Sequence, residues 1–161
     1  MFILKLIFHI SAIFSKFFYK LIYGKKIKMG KSITWRRKMS IMISSEGLLL
    51  IGSNCFFNNN CSLNCNSKII IGDNCIFGEC VKIYDHNHRF SDKNKLIKDQ
   101  GFSNGSIIIG KNCWIGSNVV ILKDSKIGDN CVIGAGCVIK GDIPDSTIVR
   151  NDSCLRFEDI I

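Results

Sequence analysis

The sequence predicts an all-β protein: a parallel β-helix of six-residue repeats, with an N-terminal amphipathic helix and one protruding loop. Three observations predict it. Isoleucine recurs every six residues at Ile109, Ile115, Ile121, Ile127, Ile133 and Ile139. Glycine follows four of them directly, at Gly110, Gly116, Gly128 and Gly134. Four places on from the aliphatic stand Cys113, Val119, Ser125, Cys131 and Cys137, all small. A period of six matches neither the 3.6 of a helix nor the alternation of a hairpin meander, so each unit must contribute one short strand and one turn. Stacked units put the aliphatics inside and pair their backbones with the coils above and below.

The chain has 161 residues, which is one domain with room for an appendage. Its first 23 residues are rich in Phe, Ile and Leu, and at 100° per residue Lys5, His9, Lys16 and Lys20 fall in one narrow sector. That pattern is an amphipathic helix with a wide apolar face. The longest uncharged run, Leu6 to Ser15, is too short to span a bilayer, and no small-residue cleavage pattern follows it. The net charge of +9 is concentrated at this end: residues 1–38 hold ten Lys or Arg and no acid, whereas residues 39–161 hold twelve basic and thirteen acidic residues. A nearly neutral body gives no reason to expect nucleic acid. The division expected is a basic amphipathic arm over 1–38 and a β-helix domain over 39–161, with an insertion at about 84–106. The arm is expected to lie on an anionic membrane surface, where each basic charge adds on the order of 1 kcal/mol, and to keep the protein cytoplasmic and peripheral to the inner face. A different use of the helix is to cap the unpaired edge of the first coil, or to pack between subunits.

In the body, an earlier block keeps the repeat at Ile51, Phe57, Leu63 and Ile69, slips by two residues, and resumes at Ile71, Phe77 and Ile83. Asn54, Asn60, Asn74, Asn112 and Asn130, each just before a Cys, tolerate the left-handed backbone that corners need. Six of the nine cysteines (Cys55, Cys61, Cys75, Cys113, Cys131 and Cys137) share one phase of the repeat and so point inward as reduced thiols. No C-x-x-C pair occurs, and the histidines at 9, 86 and 88 lack zinc-finger spacing to any Cys pair, so no metal is expected.

The stretch IGKNCWIGSNVVILKDSKIGDNCVIGAGCVIKGDIPDSTIV, residues 109–149, resembles the C-terminal half of the maltose, xenobiotic and polysaccharide O-acetyltransferases of the hexapeptide-repeat superfamily. The likeness runs from about Leu48 to Val149. It implies a left-handed β-helix, a homotrimer with active sites between neighbouring subunits, and acetyl-CoA as co-substrate. By the same resemblance Trp114, Ser117, Ala135 and Lys140 match positions that contact CoA, with Arg150 or Arg156 as further candidates for its phosphates. The chain departs from the family's closing G-N-P-A-[KR], reading Arg150-Asn151-Asp152-Ser153-Cys154.

The register is lost between Tyr84 and Ser106, and a long excursion from a rigid scaffold is where function tends to sit. The insertion opens YDHNHRF. Transfer of acetyl to a sugar hydroxyl needs a base near neutrality, which imidazole supplies. His88 is the expected base, because its placement after I-Y-x-x-x resembles that of the family's catalytic histidine. His86 is expected beside it or on substrate, and Asp85 as the carboxylate that orients an imidazole. The acceptor expected is a sugar or a lipid-linked saccharide of bacterial surface polysaccharide synthesis. Two other readings compete. A γ-carbonic-anhydrase-type hydratase needs three converging histidines, and the body has two, close together. A non-catalytic β-helix scaffold would have no use for the YDHNHRF insertion.

Overall fold

The computed structural model describes residues 2–152, with side chains from Phe8 onward. The chain winds as a left-handed parallel β-helix of about six coils, a triangular prism whose three faces hold six, six and five parallel strands. Coil 1 uses Ile27–Met29, Thr34–Trp35 and Ser40–Ile43 on the first, second and third faces. Coil 3 uses Lys68–Ile71, Ile76–Phe77 and Lys82–Tyr84, and coil 4 uses Ser106–Ile109, Trp114–Ile115 and Val120–Ile121. Coil 6 closes with only Asp142–Ile143 and Ile148–Val149.

Every second residue of a strand points inward, so isoleucines stack in columns: Ile51, Ile71, Ile109, Ile127 and Ile143 sit in successive coils of the first face. Phe57 and Phe77 fill the wide part of the second face, stacked at 4.4 Å between centroids. The two-residue slip has a simple geometry, since Ile69 and Ile71 lie in one strand and both are buried. All six in-phase cysteines are buried, as is Cys65. Five of these thiols donate to carbonyls of the next coil, among them Cys75 to Gly110 and Cys113 to Gly128 at 3.1 Å. Cys80 differs: it takes the left-handed corner position (φ 58°) that Asn60 and Asn118 take in the neighbouring coils.

The corners are left-handed at Asn54, Asn60, Asn74, Asn112 and Asn130, with φ between 53° and 61°. Coils stack so closely there that a Cβ on Gly78 would lie 2.5 Å from the Ser117 nitrogen, which leaves no side chain but hydrogen.

The solenoid begins earlier than the boundary expected at residue 38. Coil 1 starts at Ile27, and Ile27, Ile33 and Trp35 are buried, so the basic residues from Lys28 to Lys38 ride on a coil rather than on a separate arm. The helix Phe2–Tyr23 lies across the open edge of that coil. A first coil has backbone carbonyls with no coil to pair them, and the helix satisfies them with side chains. Lys16 Nζ donates to the Ile33 carbonyl at 2.8 Å, Tyr19 Oη to Met39 at 3.0 Å and Tyr23 Oη to Ile41 at 3.1 Å. Ala12, on the inner side of the helix, is buried against the core, and the Trp35 indole donates to Ser15 Oγ at 2.9 Å.

Candidate active site

At two of the three corners the spacing never varies: Ile51 to Phe57 to Leu63, Ile71 to Phe77 to Ile83, and Ile109 to Ile115 to Ile121 are all steps of six. The third corner absorbs every change in length, from a step of four at Ile139 to Ile143 to a step of twenty-six at Ile83 to Ile109. The long excursion is an antiparallel hairpin of His86–His88 on Phe102–Asn104, closed by a loop with a single 3-10 turn at Ile97–Asp99.

Asp85 anchors the root of this hairpin. Its carboxylate is fully buried, and four donors converge on it: Oδ1 accepts from the Asn66 N–H at 2.8 Å and His86 Nδ1 at 3.0 Å, while Oδ2 accepts from the Ser67 and Lys68 N–H groups at 2.8 Å. Those three backbone donors belong to the preceding turn of the same corner, so one carboxylate fixes two successive turns. A carboxylate can only accept, so Nδ1 of His86 carries the proton of that bond, and Nε2 is the ring nitrogen left free of it. Burial, then the negative charge of Asp85, pushes the neighbouring Cys65 thiol up to about 12.

His86 and His88 alternate with Asn87 and therefore share one face of their strand. Both rings pack on Phe102, with centroids at 5.1 Å and 4.6 Å. They open on a groove of about 380 Å³ that is also lined by Tyr23, Ser44, Asn64 and Asn66. His88 is the outer of the two, exposed, and also lines a hollow on the other side of the hairpin with Arg89, Ser103 and Lys123. Lys123 pairs with Asp124 at 2.7 Å, and its hydrogen bond and charge hold the Asp124 carboxyl below its usual range.

The other expected site residues lie elsewhere on the prism. Trp114 projects from the second face, 54% exposed, between Ile76 and Val132 of the adjacent coils. Ser117 and Ala135 stack at the second corner, where Ser117 Oγ accepts from the Glu79 N–H at 3.1 Å. Lys140 is exposed at the third corner, close enough to Asp124 for its charge to act there. Arg150 is exposed just after the last strand, and Arg156 lies outside the described residues. Within one chain, therefore, the structure joins Asp85, His86 and His88 but leaves Trp114, Ser117 and Ala135 on a different edge. Sequence reasoning missed Phe102, Asn64, Tyr23 and Lys123, whose only link to the histidines is spatial. Among the described residues no group of three or more His, Cys, Asp or Glu side chains converges as a metal site.

Residues 106–141 match the family described as bacterial transferase hexapeptide (six repeats). The crystal structure of a maltose O-acetyltransferase from Clostridium difficile 630 superposes with a TM-score of 0.65 at 33% identity, over 80% of this chain and 67% of that one. The chain belongs to the hexapeptide-repeat acyltransferase family. A galactoside acetyltransferase solved in complex with coenzyme A is similar too, with a TM-score of 0.68 at 31% identity over 81% of this chain and 63% of that one. WbbJ of Escherichia coli (strain K12), provisionally assigned as a lipopolysaccharide biosynthesis O-acetyl transferase, is 25% identical over 130 residues, covering 76% of this chain and 66% of WbbJ. The chain spans about half the length of the curated relatives it matches, 34%, 53% and 49% for three of them.

Proposed function

We propose that this protein transfers acetyl from acetyl-CoA to a hydroxyl of a saccharide acceptor, directly and without an acyl-enzyme. The observation that carries this reading is the pair of imidazoles facing one groove at the root of the hairpin, on a scaffold whose solved relatives include one holding coenzyme A. His88 is the general base. Its ring removes the proton as the acceptor oxygen attacks the thioester carbonyl carbon. The tetrahedral intermediate then collapses, the C–S bond breaks, and the proton held by the imidazolium goes to the departing thiolate, giving an acetyl ester and CoA. Backbone N–H groups at a corner are the natural donors to the oxyanion. The buried thiols are not nucleophiles in this scheme, since they lie inside the coil stack, where a thiol is inert.

Trp114, Ser117, Ala135 and Lys140 bind the CoA arm. Because the first three sit on another edge from the histidines, the site is completed between chains, with the second corner of one subunit facing the hairpin of the next in a homotrimer. A saccharide of surface polysaccharide synthesis is the acceptor class, in keeping with the similarity to WbbJ. The Asp85–His86 bond favours a second assignment of the base, since only His86 has a carboxylate to orient it and to stabilise its protonated form.

The test is release of CoA thiol from acetyl-CoA by the full chain against a panel of free and lipid-linked saccharides, with the acceptor product identified by mass. At least one hydroxyl acceptor should raise thiol release well above the rate of hydrolysis and gain one acetyl group. Absence of both CoA binding and acceptor-stimulated release across the panel overturns the proposal.

A further inference from the structure

The helix Phe2–Tyr23 has two apolar sides, and only one is used. Ala12, Tyr19 and Tyr23 face coil 1, where the helix takes up the edge carbonyls. Ile13, Phe14, Phe17, Phe18, Leu21 and Ile22 face away from it, and Phe14, Phe17 and Leu21 are 71%, 70% and 73% exposed. At 100° per residue these positions cover about half of the helix circumference without a charged group among them. Scattered exposed apolar residues need no explanation, but a continuous ridge on one helix face marks a contact surface.

The charge around this ridge identifies the contact. Lys25 and Lys28 flank the start of the first face, Lys31 sits at the first corner of coil 1, and Arg36, Arg37 and Lys38 sit at its second corner; all are exposed. They form a basic collar over the first two corners of the end that the helix covers, where residues 1–38 contain no acid to neutralise it; the third corner of coil 1 carries the exposed Glu46. A second copy meeting this end face to face would bring two such collars together. An anionic bilayer would instead neutralise the collar while taking the ridge into its headgroup layer. No described helix is long and apolar enough to cross a membrane, so the helix would lie in the surface plane.

We propose that the helix-capped end of the solenoid docks on an anionic lipid bilayer, the ridge from Ile13 to Ile22 inserted, the collar on coil 1 against the headgroups, and the solenoid axis upright. Coils repeat at roughly 4.8 Å, so the hairpin between coils 3 and 4 then stands roughly 10–15 Å above the edge of coil 1. The histidine groove reaches back to Tyr23 on the helix and Ser44 on coil 1. Taken with the acyl-transfer reading, on which this last step rests, that height suits an acceptor hydroxyl on a headgroup-linked saccharide.

The docking is tested independently of activity by sedimenting the full chain with phosphatidylcholine vesicles, with and without phosphatidylglycerol, and measuring its mass by light scattering. Binding should require the anionic lipid and weaken as salt rises. Phe14→Ser, Phe17→Ser and Leu21→Ser combined should lower binding at least tenfold with an unchanged far-ultraviolet dichroism spectrum. Lys25→Glu, Lys28→Glu and Lys31→Glu, which leave the ridge intact, should lower it about fivefold per charge. Equal binding to neutral vesicles, or binding unaffected by both sets of substitutions, overturns the proposal. A fall in solution mass on the serine substitutions with vesicle binding unchanged also overturns it and assigns the ridge to a second copy.

Discussion

Replacing Asp85 by Asn tests whether one carboxylate holds the third corner. The substitution keeps the size of the side chain and one carbonyl oxygen, which can still accept from Asn66 N–H or His86. It puts an amide NH₂ where Oδ2 accepted two N–H groups, those of Ser67 and Lys68 at 2.8 Å. Donor then faces donor, in a place with no access to water because Asp85 is fully buried. A hydrogen bond to a charged group contributes about 1.5–3 kcal/mol, so losing two costs about 3–6 kcal/mol. A domain of this size shifts its melting temperature by about 2–4 °C per kcal/mol, which predicts a fall of roughly 6–24 °C. Thermal unfolding followed by circular dichroism at pH 7 measures it. An Asp85→Asn protein that melts within about 2 °C of the parent would mean the backbone of residues 66–68 needs no carboxylate, and the reasoning fails. The same variant, assayed well below its melting point, separates anchoring from chemistry: if the carboxylate also orients His86 for the reaction, turnover falls while acetyl-CoA affinity stays, whereas a purely structural role moves neither.

His88→Ala should lower turnover about 10²- to 10⁴-fold with acetyl-CoA affinity unchanged by calorimetry, and His86→Ala should do less; the opposite ranking moves the base to His86, and no loss in either places it elsewhere. Burial pushes the Cys61 thiol up to about 11 and, with Asp85, Cys65 to about 12, so neither should be alkylated in the native state at pH 8. Because the unfolded thiols ionise near the ordinary thiol value of 9.0 while the folded ones stay protonated, the stability tied to them is intact below that pH and is lost as pH rises toward about 11 and about 12. A melting temperature that does not fall between pH 8 and pH 11, or rapid native labelling of the in-phase cysteines, contradicts the packing described above.

The coil grammar was legible because the interior columns repeat one residue type at one spacing; Ile109 to Ile139 need no tertiary information to be placed inside. The start of the solenoid was less legible because its basic residues dominate the composition. Yet Met29, Trp35 and Ile41 already stand six apart, and that interval was the available signal. Capping of the first coil was legible as one of two expected uses of the helix; which of its aromatics would face that coil was not. Tyr19 and Phe18 are adjacent aromatics, and Tyr19 faces coil 1 with a hydrogen bond to the Met39 carbonyl, twenty residues away. Asp85 was legible as a partner for imidazole, since His86 is its neighbour. Its larger task, accepting from residues 66–68, was hidden because those donors come from the previous turn of the corner.

The position of the insertion follows from the same constraints that made the repeat readable. At the first and second corners, a change in length would slide the strand that follows by one or more residues, and a slip of one turns inward side chains outward on the whole strand. Asn74 and Gly78 sit in turns with left-handed backbone or near-contact stacking, so those corners cannot lengthen without losing the coil above. The third corner tolerates steps of four to twenty-six residues because the pairing resumes afresh at each first-face strand, as Ile71 with Ile109 and Ile127 with Ile143. A hairpin can leave the stack there provided its root is pinned. Asp85 pins it, Gly105 N–H closes it by donating to the Asp85 carbonyl at 2.7 Å, and the two histidines project from the first residues that are no longer bound by the repeat. The proposed chemistry fits this corner because, among the described residues, its side chains are free to be chosen for something other than stacking.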